Sequence, residues 1–258
     1  MTYFAPVAPI DLLRKLYACH SAGPYHLLLA HDVVKYKFAY ESLFRPDPSR
    51  WQIIMDNSAV ELGEPVSPEV LLEAVEICQA SIVVLPDHLL DAKATVRSTT
   101  KALKEWQKPL QDYSRPLDLM VVPQGKTVGQ WTACALALSK LSHSRIRWWG
   151  IPRNFRDKCN ESRQMAVNIV SSFRHDWNIH LLGFSEDTVD DMLTAKDPRV
   201  YGIDSAVPVR IGMAGEQFIP GMDTPPRGKW WDEEHGEVTE ECKQNIYDVR
   251  NWIKKWQS

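Results

Sequence analysis

The sequence predicts a single-domain α/β protein built as a (β/α)8 TIM-like barrel with a C-terminal helix packed on it, and three observations predict it. Short apolar runs rich in Val, Ile and Leu recur seven times, at 26–31, 51–55, 81–85, 117–122, 145–151, 178–183 and 200–203. Their near-continuous apolar character is that of parallel strands buried on both faces. Between most of them, segments 67–79, 92–110, 127–141, 158–173 and 188–195 carry apolar residues at i, i+3 and i+4, the spacing of a helix with one buried face. A length of 258 residues suits one such barrel, whose βα units close by right-handed crossovers.

The individual elements carry local signals. Ser67 followed by Pro68 reads as the N-cap and first turn of the 67–79 helix, and Asp187 reads as the cap of the 188–195 helix. Seven strands alternating with helices fit a closed barrel better than an open doubly wound sheet. The eighth strand is the one element without a clear signal, and either residues 3–9 (YFAPVAP) or residues 209–213 can supply it. The barrel core is expected over about 25–215 and a helical tail over 216–258, where Ile246, Val249, Ile253 and Trp256 recur at helical spacing. Trp230, Trp231, Trp252 and Trp256, set among Lys229, Arg250, Lys254 and Lys255, allow a second reading of the tail as a surface on which unpaired bases stack. The whole chain, 1–258, reads as one domain without internal repeats.

Composition excludes several classes. No window approaches the roughly 18 apolar residues of a membrane span, and the first residues lack a signal peptide's basic stretch and apolar core, so a cytoplasmic protein with no membrane partner is expected. Cys19, Cys78, Cys134, Cys159 and Cys242 are scattered and odd in number, which points to reduced, mostly buried thiols rather than a disulfide framework or a zinc site. A formal charge of −3 implies no general attraction to polyanions, although local basic clusters can still bind phosphate.

The strand ends carry the chemistry. The runs finish in IIMDNS with Asp56, VVLPD with Asp87, MVVPQG with Gln124 and Gly125, RWWGIPR with Gly150, Ile151 and Arg153, HLLGFS with Leu182 and Gly183, and YGIDSAVPVR with Asp204 and Arg210. In a (β/α) barrel these ends converge on one face, where side chains from different strands surround a small ligand. Taken singly, an Asp after a strand reads as a helix cap or a solvated loop residue. Several carboxylate and amide groups at equivalent positions point instead to a site.

At these residues the sequence resembles the tRNA-guanine transglycosylase family. The resemblance runs from about Asp56 to Arg210 as an ordered series of short motifs. MDNSA occupies the place of the family's Asp-Ser-Gly-Gly segment, which implies Asp56 as general base, and Asp87 with Gln124-Gly125 matches the residues that recognise the edge of the base. Gly150-Ile151 resembles a strand end that offers backbone contacts, and Leu181-Leu182-Gly183 resembles a segment lining the pocket. Asp204-Ser-Ala-Val-Pro208-Val-Arg210 fits an Asp-x-x-x-Pro-x-Arg pattern whose aspartate is the covalent nucleophile. There are also departures. Ser58 and Ala59 replace the glycine pair, Val60 stands where a stacking aromatic is expected, and the Cys-x-Cys-x-x-Cys zinc module is absent, so no metal is expected. The closest resemblance is to short, zinc-free relatives that place 7-deazaguanines into DNA, which implies DNA rather than tRNA as the polymer and a free base such as 7-cyano-7-deazaguanine as co-substrate.

That chemistry needs these groups. Exchanging a purine breaks the C1′–N9 bond through an oxocarbenium-like state, so one carboxylate, Asp204, bonds to C1′ and a second, Asp56, moves protons on the departing and arriving bases. Guanine offers N1–H and N2–H₂ donors beside the O6 acceptor, so Asp87 suits the donors and the Gln124 amide or backbone N–H groups suit O6. No nucleotide or redox cofactor is required. Residues 145–163 carry Arg145, Arg147, Arg153, Arg156, Lys158 and Arg163 against Asp157 and Glu161, and Arg153, Arg156 and Arg210 are the expected nucleic-acid contacts; an ordinary solvated helix face is the alternative. Accessory proteins of a modification system are further partners the resemblance implies.

Other readings remain open at this point. The histidines, His180 among them, show no HExxH spacing, and only His88 is placed at the pocket rim. His31-Asp32 leaves a metal-dependent barrel hydrolase as one alternative. A tRNA-guanine transglycosylase, a glycosylase that hands the Asp204 intermediate to water, and a non-catalytic nucleic-acid-binding barrel are the others.

Overall fold

Eight parallel strands alternate with helices in the computed structural model, which describes residues 2–113, 115–185, 187–222, 230–231 and 235–254. The strands are β1 (Tyr3–Pro6), β2 (Tyr25–Leu29), β3 (Gln52–Asp56), β4 (Ile82–Val84), β5 (Asp118–Val121), β6 (Ile146–Pro152), β7 (Asn178–Leu182) and β8 (Val200–Ser205). Their hydrogen-bonded order is β1-β8-β7-β6-β5-β4-β3-β2, and β1 also touches β2, so the sheet curls into a nearly closed barrel. The eighth strand is the N-terminal one: Tyr3–Pro6 pairs along β8 from Gly202 to Ser205. The barrel core therefore starts at Tyr3 rather than at residue 25, and residues 209–213 belong to a helix.

After β1 comes α1 (Ile10–Ala18); α2 (Ala30–Lys35) and α3 (Lys37–Phe44) follow β2. The short α4 (Ala59–Leu62) and α5 (Pro68–Cys78) follow β3, α6 (Ala92–Glu105) and α7 (Gln107–Asp112) follow β4, and α8 (Val128–Ser139) follows β5. Next are α9 (Asn154–Cys159) and α10 (Arg163–Phe173) after β6, α11 (Thr188–Thr194) after β7, and α12 (Val207–Met213) and α13 (Glu240–Lys254) after β8. The Ser67 and Asp187 caps form, accepting from the Val70 and Asp190 amides. Two segments read as continuous helices are each divided. Pro109 lacks the N–H that a single 92–110 helix needs there, and restarting at Gln107 puts it in a first turn where none is required. Asn160, at φ 55°, ends α9, and Ser162 caps α10 by accepting from the Gln164 amide.

Alternation along the strands sorts the side chains into two layers. Leu28, Ile53, Met55, Val83, Val121, Trp149, Ile151, Leu181 and Ile203 point outward into the layer between sheet and helices. Tyr25, Leu27, Leu29, Ile54, Ile82, Val84, Met120, Val122 and Trp148 fill the barrel interior. The C-terminal helix α13 closes the assembly through buried Cys242, Ile246, Val249 and Ile253. Gly212 of α12 makes this possible, because a Cβ there would stand 2.3 Å from the Cys242 backbone. Trp256 lies outside the described residues. Cys19, Cys78, Cys134, Cys159 and Cys242 are free thiols. Among the described residues no helix is long and apolar enough to cross a membrane.

Candidate active site

The inward-facing residues at the last turn of the strands form the floor of a cavity of about 540 Å³, within the range of about 300–1,000 Å³ usual for small-molecule sites. Of the strand-end residues singled out in the sequence, Asp56, Asp87, Gln124, Arg153, Leu182, Gly183, Asp204 and Arg210 line it. Leu27, Leu29, Val84 and Val122 supply apolar wall, and Trp231 of the C-terminal tail supplies an aromatic one.

Asp204 is the penultimate residue of β8, and its Oδ1 accepts two hydrogen bonds, from the Gly183 amide and from His180 Nε2, both 3.0 Å. Gly183 has φ 66°, a left-handed backbone that glycine adopts without strain, and this turn aims its N–H at the carboxylate. The turn is held from behind. Arg163 is fully buried and donates to the carbonyls of Ile151, Leu182 and Gly183 and to Asp191 Oδ1, while Asp191 Oδ2 accepts from the amide and hydroxyl of Ser185.

Elsewhere on the cavity wall, Asp56 ends β3 and its Oδ2 accepts from the Ser58 amide at 2.8 Å. Ser58 has φ 63°, so it takes the left-handed conformation that a glycine would supply. Burial pushes the Asp56 carboxyl well above its usual range, the charge of Glu61 adds to this, and Asp87 and Asp204 add less; the Ser58 amide opposes them. Asp56 thus tends to hold a proton where an ordinary aspartate has lost it.

The same cavity holds an ordered amide edge. Asp87 is buried, with Oδ1 accepting from Asn57 and Oδ2 from Gln124, both 2.6 Å. A carboxylate only accepts, so both amides must turn their NH₂ groups toward it. The remaining bonds agree: Asn57 Oδ1 accepts from the Ala59 amide, and Gln124 Oε1 accepts from the Leu90 amide and from Asn154. Leu90, at φ 61°, is a third left-handed residue whose N–H serves this site. Burial raises the Asp87 carboxyl, against the lowering effect of its two amide donors.

Several expected contacts do not reach the cavity. Gly125 is not on the cavity wall; a side chain there would stand 2.4 Å from the Trp131 amide, so this glycine packs the loop onto α8. Gly150 sits one layer below the cavity, where a Cβ would press on Leu182, Val122 and Met120, and Ile151 faces outward. Pro152 and Asn154 form the wall at that strand end instead. Arg156 pairs with Asp187 at 3.0 Å and does not line the cavity. The basic run 145–163 is dispersed: Arg145 bonds the Leu117 carbonyl at the far end of the barrel, Arg147 lies 4.0 Å from Asp118, and Arg163 is buried. Lys158 joins Arg153 and Arg210 at the cavity. His88 bonds Ser98 of α6 and does not line the cavity, although its neighbours Asp87 and Leu89 do, whereas His180, given no role by sequence spacing, touches Asp204. Tyr25 and Glu61 were also missed. Among the described residues no three His, Cys, Asp or Glu side chains are grouped to hold a metal ion.

Neither a protein-family model nor a curated protein matches the chain. The functional reading therefore stands on the geometry of this cavity.

Proposed function

We propose that the protein is a base-exchange transglycosylase that replaces guanine in nucleic acid, DNA rather than tRNA, with a free 7-deazaguanine such as 7-cyano-7-deazaguanine. One observation carries this reading: a single cavity is lined by Asp204, a carboxylate whose hydrogen bonds among the described residues all fall on one oxygen, by a desolvated carboxyl, Asp56, and by the carboxylate–amide edge of Asp87 and Gln124. The edge suits guanine. Each Asp87 oxygen retains a lone pair for N1–H and N2–H₂, and the second Gln124 N–H can serve O6. Adenine reverses the donor and acceptor at those positions.

The reaction divides between the two carboxylates. Asp204 Oδ2 gives an electron pair to C1′ while the C1′–N9 pair leaves with guanine, which takes a proton from Asp56. The incoming base then gives its own N9 proton to Asp56, its N9 pair bonds C1′, and the C1′–Oδ2 pair goes back to Asp204. Two displacements preserve the configuration at C1′. The balance closes without a cofactor. Trp231 and the apolar strand-end residues offer apolar wall for the base, the role left unfilled by Val60, and exclusion of water by the bound substrate would protect the intermediate. Arg153, Lys158 and Arg210 line the cavity together with Glu61 and Asp157, and are the cations that would meet the flanking phosphates of an extruded nucleotide.

The test is to incubate the protein with guanine-labelled duplex DNA, single-stranded DNA and tRNA, each with 7-cyano-7-deazaguanine, alongside Asp204→Asn. Guanine release matched by a mass gain in DNA, both absent in the variant, is the expected result. Release that leaves abasic sites would make the protein a glycosylase, and no release from any polymer would remove the enzymatic reading.

A further inference from the structure

Behind Asp204, away from the cavity mouth, the barrel interior holds a line of three hydrogen-bonded side chains. Tyr25 on β2 reaches His180 Nδ1 at 2.7 Å, and His180 Nε2 reaches Asp204 Oδ1 at 3.0 Å. Tyr25 and His180 are both buried, and neither lines the cavity. The line is built into the packing. A Cβ at Gly202 would stand 2.5 Å from Cε1 and 2.6 Å from the hydroxyl of Tyr25, so the strand that carries Asp204 leaves out a side chain where the tyrosine ring crosses the barrel.

The chemistry of the end group fixes the protons. A carboxylate only accepts, so Nε2 carries the hydrogen that faces Asp204; in a neutral ring Nδ1 then accepts, and the Tyr25 hydroxyl donates to it. Burial and the charge of Asp204 both hold Tyr25 as the phenol, the form that can donate. Together with the Gly183 amide, His180 places both donors on Oδ1, and Oδ2 makes no hydrogen bond among the described residues.

We propose that His180, held in one tautomer by Tyr25, is a positioning residue that makes Oδ2 of Asp204 the attacking oxygen and Oδ1 the oxygen that takes back negative charge, and so sets the lifetime of the covalent intermediate. This rests on the transglycosylase reading above. In the first displacement Asp204 loses its charge as Oδ2 bonds C1′, so donors on Oδ1 hold the reactant carboxylate back. In the second, the C1′–Oδ2 pair returns to the carboxylate, and the same donors stabilise the charge that forms. The two steps therefore respond in opposite directions to loss of His180. A residue that merely filled the barrel would slow both alike.

Single-turnover measurements on guanine-labelled DNA separate the steps, with guanine release reporting the first and incorporation of 7-cyano-7-deazaguanine the second. His180→Phe removes the donor; guanine release is expected to proceed at least as fast as in the wild type, while incorporation slows about tenfold or more, the worth of one hydrogen bond to a charged group. Denatured protein should then carry more DNA adduct during turnover. His180→Gln, which can present an amide N–H near the same place, should restore incorporation. Tyr25→Phe leaves the ring free to put its hydrogen on Nδ1 and should show the same split in weaker form, which keeps the test intact if His180→Phe does not fold. Equal slowing of both steps in the folded variants, or no change in either, would overturn the proposal. If the wild type itself releases no guanine, the underlying reading fails first, and the two failures are told apart.

Discussion

Arg163 and Asp191 form an ion pair at 2.9 Å with both side chains fully buried, and the same two side chains hold the backbone that delivers the Gly183 amide to Asp204. Two buried charges are expensive to desolvate, and what offsets this is that the guanidinium also serves three carbonyls and the carboxylate also serves Ser185. Arg163→Met leaves Asp191 buried without its cation and should lower stability by about 3–5 kcal/mol. Arg163→Met combined with Asp191→Leu should recover part of that loss. Urea unfolding of the four proteins of the cycle gives the coupling, and additive losses would show that the pair does not act as a unit.

Ser58 gives an inverted order of substitution. Its left-handed backbone costs about 1–2 kcal/mol in any residue with a Cβ, and its hydroxyl accepts from the His31 amide at 3.3 Å. Ser58→Ala keeps the strain and loses the bond, so it should destabilise by about 1 kcal/mol. Ser58→Gly also loses the bond but relieves the strain, and thermal unfolding should find it the more stable of the two.

Asp56 links stability to pH with a definite sign. Its carboxyl is raised in the folded protein, so the stability it contributes is full below the ordinary aspartate value of about 4 and is lost as pH rises through the raised native value. Asp56→Asn keeps an acceptor for the Ser58 amide and carries no charge. The variant should therefore gain on the wild type in melting temperature as pH rises from about 4 toward neutrality, while losing base exchange. A constant difference across that range would contradict the raised carboxyl.

Asp87→Asn puts an NH₂ group where two amide donors converge. Either Asn57 or Gln124 must then turn, and the Ala59, Leu85 and Leu90 backbone groups that fix them resist this. A loss of about 1–3 kcal/mol in stability and at least about tenfold in guanine affinity is expected, read by calorimetry.

What the sequence revealed and what it hid follow from the same geometry. Strands buried on both faces read as apolar runs, so β2 to β8 were visible, and so were the polar residues that end them, because Asp56, Asp87, Gln124 and Asp204 interrupt those runs. β1 is four residues long and ends in proline, a pattern that a loop shares; only its ladder to β8 distinguishes it. His180 was hidden for another reason. It sits within an apolar strand, as a packed core histidine would, and its meaning comes from residues far away in sequence: Tyr25 across the barrel, Gly202 beside it and Asp204 above it. Gly125 and Gly150 misled in the opposite sense, because a glycine that admits a neighbouring backbone or side chain looks the same in sequence as one that admits a ligand.

The covalent bond proposed between Asp204 and the sugar is the centre of this account, and its most direct measurement is the mass of the protein. The chain is mixed with a guanine-containing DNA oligonucleotide, quenched in acid and digested, and the peptides are weighed. The account predicts an adduct of the oligonucleotide less guanine on the peptide that contains Asp204, absent in Asp204→Asn and discharged by added 7-cyano-7-deazaguanine. Base exchange without any adduct, or an adduct on another residue, would contradict it.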